Sequence, residues 1–256
     1  MALQALTAVN AGLAALASSD ALSGAQKRAA FAATEASLLP ALDGMFAAAR
    51  QEMFEESLDV LSQLLYHVGV LGAPPSAALW SLFPRLAVAL CAGWSADYVH
   101  HAVAPLDNWI TFDWGGLVAP GRPFSPPLGA IAAAAAAGGG GVGNGSGGGG
   151  VPPPTSGRYL DVVVGLVVDF WTGAGRDEDD ATCGCKVAQS LLLHGKRAGD
   201  GALDGAVTGA LVPAVAARLP AAMADVPADD AGDEEDGGAA RKLASALFSI
   251  VWATLW

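Results

Sequence analysis

The clearest hydrophobic pattern in the sequence lies in residues 76–113. Large apolar residues recur there at spacings of four, three and four, which is the period of one helix face: Leu79, Phe83, Leu86 and Leu90. Pro74 and Pro75 cannot continue an earlier helix, and Ser76 after them is a good N-cap residue. We therefore predict a helix that begins at Ser76 and ends at the small residues 91–93.

A second helix is predicted immediately afterwards, with Ser95 as its N-cap and a kink at Pro105. It has its own apolar stripe, formed by Tyr98, Ala102, Leu106 and Trp109. The two stripes are expected to face each other in a helical hairpin. Because neither helix can bury its apolar face alone, such a hairpin is stable when further hairpins stack on both sides.

Weaker helical patterns precede this hairpin. Residues 2–18 and 26–39 are predicted helices, and Pro40 is expected to interrupt the second. A stronger pattern begins at Met53, with apolar residues on one face and acids on the other: Phe54, Leu58, Leu61, Leu65 and Val68 against Glu55, Glu56 and Asp59. With residues 41–50 before it, this helix is expected to form one more hairpin.

The second half of the chain is also predicted to be helical. The valine-rich run at 159–171 resembles a buried strand, but its length favours a helix. Residues 181–194 follow, entered through four consecutive acids that suit a helix N-terminus. Two more helices are expected at 202–219 and 239–256.

Between the two halves lies a tract of Gly, Ala and Pro at 119–157, which has almost no side chains with which to build a core. We predict a disordered insertion there. Gly143, Gly145 and Gly148 match G-x-G-x-x-G, but no strand precedes them, so a solvated linker is favoured over nucleotide binding. The predicted domains are 1–118, the insertion, and 158–256 with an acidic loop at 224–238.

These patterns together predict an all-α fold, a HEAT-repeat-like right-handed superhelix of about four to five helical hairpins. The chain has 256 residues, of which 53% are hydrophobic and 15% charged, and this is ample for a core. No apolar segment reaches the roughly 20 residues of a bilayer span, so we expect a soluble protein without membrane insertion. Trp256 ends the sequence inside an apolar helix, which predicts that the sequence is part of a longer chain.

The formal net charge of −12 argues against a nucleic-acid-binding surface and favours basic partners. Two short segments concentrate the acids: Asp177, Glu178, Asp179 and Asp180, and then Asp225, Asp229, Asp230, Asp233, Glu234, Glu235 and Asp236. One interpretation is that these are solvated loops that maintain solubility. The other is that they capture a basic protein electrostatically, which makes them candidate cargo-binding residues.

No pattern in the sequence predicts catalysis. Cys183 and Cys185 lie in a predicted helix where residues two apart point in different directions, so they do not form a zinc site with His194. His100 and His101 are adjacent and diverge in the same way, and no Ser, Cys or Asp signature marks a nucleophile. We expect no enzyme activity, no metal and no cofactor.

One set of residues resembles a known family. The residues are Trp80, Asp97, Tyr98 and the run Pro105, Leu106, Asp107, Asn108, Trp109, Ile110, Thr111, Phe112 and Asp113. They resemble a HEAT hairpin in the C-terminal half of the importin-beta (karyopherin-beta) superfamily, in the branch of importins seven and eight. Elements around Tyr159, Asp180, Lys186, His194 and Arg218 resemble successive elements of the same family in the same order.

The resemblance implies a nuclear transport receptor that moves between cytoplasm and nucleus. Such receptors wrap protein cargo in an armadillo-type superhelix, contact the Phe-Gly repeats of nucleoporins and release cargo when the GTPase Ran binds. Ribosomal proteins and histones are the basic cargo that the resemblance suggests. Nothing in this sequence resembles the family's N-terminal Ran-binding region. The alternative is a generic HEAT-like scaffold that holds a protein complex without a transport cycle.

Overall fold

A computed structural model describes residues 2–47, 51–119, 158–173, 175–199, 205, 207–224 and 241–250, and every regular element among them is helical. The prediction of an all-α protein is therefore confirmed. The helices are α1 (Ala2–Ser18), α2 (Gly24–Ala47), α3 (Phe54–Val70), α4 (Ala77–Leu90), α5 (Val99–Phe112), α6 (Trp114–Val118), α7 (Tyr159–Thr172), α8 (Glu178–Ala198), α9 (Val212–Ala224) and α10 (residues 241–250). Short 3-10 turns at Gln51–Met53 and Gly93–Tyr98 and a π turn at Val207–Leu211 join some of them.

The helices pack in two rows, and within each row the neighbouring helices are not consecutive along the chain. One row consists of α1, α3, α5 and α8, each in contact with the next. A second row is formed by α2, α4 and α7, followed by the π turn and α9. Contacts of α2 with α3 and of α7 with α8 join the two rows. The large buried side chains lie between these helices in one continuous core.

The predicted start of α4 is confirmed. Ser76 Oγ accepts a hydrogen bond from the amide of Leu79 at 3.0 Å and so caps the helix. All four residues of the predicted stripe are buried. The ring of Phe83 meets that of Trp109 in α5 edge-on at 5.2 Å, so the apolar faces of these two helices touch.

The predicted N-cap of α5 is wrong. Ser95 lies in the 3-10 turn, and its buried hydroxyl donates to the carbonyls of Leu90 at 2.8 Å and Ala92 at 2.7 Å. The hydroxyl therefore satisfies free carbonyls at the end of α4 instead of free amides at the start of α5. Regular α-helix begins only at Val99.

The prediction that Pro40 separates two helices, at 26–39 and 41–50, is also wrong. Helix α2 runs without a break through Pro40, which is exposed. Proline removes one backbone hydrogen bond, but the apolar face continues beyond it. Leu42 and Phe46 after the proline are buried like Phe31 before it, and this packing holds the helix together.

In the second half, residues 159–171 form a helix, as predicted, and not a strand. Helix α8 extends further than predicted at both ends, because Asp177 caps its start and Gly199, with a φ of 64°, ends it in the left-handed conformation. Within the helix predicted for 202–219, the structure describes a π turn at Val207–Leu211 and an α-helix that continues to Ala224.

Two predicted segments lie largely or wholly outside the described residues: the Gly/Ala/Pro insertion and the acidic loop. In α10, Leu243, Leu247 and Ile250 are buried and belong to the core. Among the described helices, none combines the length and apolar character that crossing a membrane requires.

Candidate functional site

The residues that resemble the known family gather where α4, α5, α6 and α7 meet. The indole of Trp80 stacks on Tyr159 at 5.0 Å between ring centroids and on Trp109 at 5.6 Å. Its Nε1 donates to Asp113 Oδ2 at 2.8 Å, and Asp113 Oδ1 accepts from the amide of Gly116, also at 2.8 Å. This buried junction fixes four helices relative to one another.

Other motif residues tie α5 to its neighbours in the row. Asn108 Nδ2 donates to the carbonyl of Ser62 in α3 at 3.0 Å and lies 3.1 Å from its hydroxyl. On the other side, Thr111 Oγ1 lies 3.3 Å from His194 Nε2 in α8. Since these polar groups bond across helices, they fix the order and spacing of the helices in the row.

The remaining motif residues are also mostly structural. Pro105 and Leu106 are buried, and Tyr98 packs edge-on against Phe54 of α3 at 5.6 Å. Asp97 is exposed in the 3-10 turn. The motif therefore describes how the helices fit together, and only Asp97 and Thr111 are exposed to solvent.

The four acids at the start of α8 do not share one role. Asp177 Oδ1 accepts a hydrogen bond from the amide of Asp180 at 2.9 Å and so caps the helix. Asp177 itself is exposed. Glu178 is half-buried and Asp179 is exposed. Asp180 is buried, so the prediction that all four carboxylates face a cargo protein is wrong for this residue.

Asp180 belongs instead to a buried ionic cluster around Arg176. Arg176 Nη2 donates to Asp169 Oδ2 at 2.7 Å and to the carbonyl of Leu90 at 2.6 Å, and its Nη1 lies 3.6 Å from Asp180 Oδ2. Burial raises the pKa of Asp180 to about 6, although the nearby guanidinium lowers it. The cluster joins α7, α8 and the end of α4, and nothing in the local sequence pattern predicted it.

The other seven candidate cargo-binding acids lie outside the described residues: Asp225, Asp229, Asp230, Asp233, Glu234, Glu235 and Asp236. Their role remains a prediction from the sequence. Of the acids that the structure does describe in this set, Asp177, Glu178 and Asp179 are accessible to a partner at the start of α8.

The cysteines and histidines show no arrangement for catalysis in the described part of the chain. Burial raises the pKa of both Cys91 and Cys185 to about 12, which suppresses the thiolate that a nucleophile needs. His101 Nε2 lies 3.3 Å from Glu55 Oε1 and its Nδ1 lies 3.8 Å from Asp59 Oδ1; the imidazole is half-buried and both acids are exposed. No cluster of three or more metal-binding side chains occurs among the described residues.

A pocket that sequence reasoning missed lies between α2, the end of α3 and the start of α4. Its volume is about 250 Å³, and its lining includes Arg28 and Glu35 of α2 and Ser76. The Ser76 hydroxyl donates to Glu35 Oε1. Glu35 is a single acid among small and apolar residues, which was the one available signal in the sequence. Because the sequence predicted a helix break at Pro40, it did not predict that Glu35 lies in the middle of one long helix.

In comparison with known proteins, no family model, no curated protein and no solved structure matches this chain. Its function has to be inferred from its own residues.

Proposed function

We propose that the chain is a segment of a HEAT-like, right-handed α-superhelix that binds other proteins, and that it serves as a nuclear import receptor of the importin-beta type. The observation that supports a superhelix most directly is the succession of contacts α1 to α3, α3 to α5 and α5 to α8 beside a second row of helices. Stacked helix pairs of this kind present extended surfaces to protein partners.

The position of the motif residues supports the same proposal. Trp80, Asn108, Trp109 and Asp113 bond or stack across helices at successive junctions, as residues that maintain the spacing of a repeat would. A binding function does not need a catalytic centre. The resemblance to importins seven and eight adds transport, with Ran and nucleoporin Phe-Gly repeats as further partners.

The chemistry of the chain favours basic cargo such as histones and ribosomal proteins. The net charge is −12. Asp177, Glu178 and Asp179 are accessible at the start of α8, and seven further acids cluster in residues 225–236. Opposite charges raise the rate of association and select the partner, which suits a receptor that binds many basic proteins.

The test is a binding experiment with purified core histones on the immobilised chain, carried out with and without Ran in its GTP-locked form. Retention of histones at physiological salt is the result that we expect of a receptor. Release of the histones by Ran-GTP would favour a transport receptor over a static scaffold. If neither histones nor purified ribosomal proteins are retained above the level of a neutral protein, the proposal is wrong.

A further inference from the structure

The pocket between α2 and α4 combines one buried charge with apolar walls. Phe31, Val68, Leu71 and Pro74 supply the apolar lining of a space of about 250 Å³. Arg28 is exposed at its edge, whereas Glu35 is only 8% exposed. The pocket therefore extends from the surface to a nearly buried carboxylate.

Glu35 lacks a counter-ion in the part of the chain that the structure describes. Its Oε1 accepts from the neutral hydroxyl of Ser76, and no ion pair within this part includes its carboxylate. The guanidinium of Arg28, which lines the same pocket, donates instead to the carbonyl of Leu71 at 3.4 Å. A carboxylate that is withdrawn from water without a cation is costly, so the site favours a cationic ligand.

The lining also selects the kind of cation. An aliphatic stem fits against Phe31, Val68 and Leu71, which excludes a small hydrated ion as the best ligand. Because Ser76 already donates to Oε1, one of the two oxygens that a guanidinium fork would bond is partly engaged. A lysine ammonium needs only one oxygen.

The neighbouring histidine does not oppose such a ligand. His67 stacks on Phe31 with 5.3 Å between ring centroids, and burial lowers its pKa. It is therefore neutral near pH 7 and adds no repulsion for a cation. The same stacking holds Phe31 in place, so the apolar wall is formed before a ligand binds.

We propose that this pocket binds a lysine side chain of a protein partner, with the aliphatic stem against Phe31, Val68 and Leu71 and the ammonium at Glu35. The proposal rests on the proposed function in one respect, that the partner is a basic protein. It adds a defined anchor site on the α2 side of the molecule, distinct from the acids at the start of α8.

The test uses the full chain and five-residue peptides with blocked ends that differ only at the central position. The four central residues are lysine, acetyl-lysine, norleucine and arginine, and the flanking residues are glycine. Binding is followed through the NMR signals of the Val68 and Leu71 methyl groups. We expect the lysine peptide to shift these signals in a saturable way, arginine to bind more weakly, and the two neutral peptides to show no saturation.

Two variants and a matched control locate the site. Glu35→Gln keeps an acceptor for Ser76 and removes the charge, so the lysine peptide should bind at least about tenfold more weakly. Ala32→Leu fills the pocket from an exposed lining position and should also block binding, and it keeps the test valid if the first variant fails to fold. Glu52→Gln, an exposed acid outside the pocket, should bind as the parent does.

Three results would overturn the proposal: no methyl shifts with the lysine peptide, equal binding of lysine and norleucine, or equal binding by the parent and the Glu35→Gln and Ala32→Leu variants. Histone retention by the same proteins separates the two ideas. If histones are still retained while the peptides fail, the anchor site is wrong and the proposed function stands. If neither histones nor ribosomal proteins are retained but the lysine peptide binds, the pocket is real and the receptor function is wrong.

Discussion

At the scale of single residues, polar side chains that bond between helices do more to define this molecule than its surface charges. Trp80 and Asp113 form one such contact, Asn108 and Ser62 a second, and Arg176 connects three elements. Each contact is buried or half-buried, where a lost partner leaves an unsatisfied group that costs about 1–3 kcal/mol. Substitutions at these positions should therefore act on the arrangement of helices.

Gly116 provides a sharp test of the junction at Trp80. A methyl group on Gly116 would overlap the Asp113 carboxylate, which Trp80 Nε1 and the Gly116 amide both bond. We expect Gly116→Ala to lower the free energy of unfolding by about 1–3 kcal/mol, because Asp113 must leave Trp80. Gly115→Ala is the matched control, since its methyl group would meet only Asp113 Oδ1 at an ordinary 3.8 Å. Equal stability of the two variants in urea unfolding would contradict this account.

Asp180 should make stability depend on pH. Its pKa rises from 3.8 to about 6 on folding, so the native protein binds the proton more tightly than the unfolded chain. The stabilisation from this group is complete below pH 3.8 and is lost as the pH rises through 6. We expect the parent to lose about 1 kcal/mol of unfolding free energy relative to the Asp180→Asn variant when the pH is raised from 5 to 7.5. Urea unfolding of both proteins at the two pH values measures this change.

The control for this effect is Asp179→Asn, an exposed acid in the same helical turn. Its stability relative to the parent should be similar at both pH values. The charged groups that face Asp180 are Arg176 and Asp177. If the Asp180→Asn variant follows the parent across this pH range, the carboxylate is not held in the buried cluster that the structure describes.

At the scale of elements, local patterns predicted which segments are helical and both ends of α4, but not the ends of α2, α5 and α8. The spacing of Leu79, Phe83 and Leu86 and the cap at Ser76 depend on neighbours a few residues away, so the sequence predicted α4 well. The prediction that Ser95 caps α5 was wrong because its hydroxyl donates to a carbonyl at the end of the preceding helix, α4. Glu35 and Ser76, like Arg176 and Leu90, are far apart in sequence, and spacing alone carries no information about such contacts.

The unbroken helix α2 leads to a prediction about Pro40. Proline inside a helix is about 3 kcal/mol less favourable than alanine, since it lacks an amide donor and clashes with the preceding turn. Because Pro40 is exposed, its replacement should remove no core contact. We expect Pro40→Ala to raise the free energy of unfolding by about 1–3 kcal/mol.

Pro74→Ala is the control for the proline prediction, because Pro74 is exposed and lies before α4, outside any helix. It should be neutral or slightly destabilising, since it only increases the freedom of the unfolded chain. If Pro40→Ala also fails to stabilise the protein in urea, then residues 24–47 do not form a single helix in solution, and the break predicted from the sequence is correct after all.

At the scale of the whole molecule, the two rows of helices and the acidic charge suggest a surface that attracts basic proteins over a distance. The rows place α1, α3, α5 and α8 side by side, so partner contacts could extend over several helices. Exposed charges are screened over about 8 Å at physiological salt, so an electrostatic contribution must weaken as salt increases. This dependence separates charge-driven capture from binding to apolar surface.

The acidic loop allows that contribution to be tested without changing the core. Replacing Asp233, Glu234, Glu235 and Asp236 by their amides removes four charges from one short segment. We expect the affinity for a lysine- and arginine-rich histone tail to fall by about tenfold, or 1.4 kcal/mol, at about 150 mM salt, while stability is unchanged. Raising the salt should weaken binding of the histone tail to the parent more than to the variant, because the parent has more charge to screen.

A neutral peptide is the control and should bind both forms alike. If the variant and the parent bind the tail equally at low and at physiological salt, the loop has no part in capture, and the accessible acids at the start of α8 become the site to neutralise next.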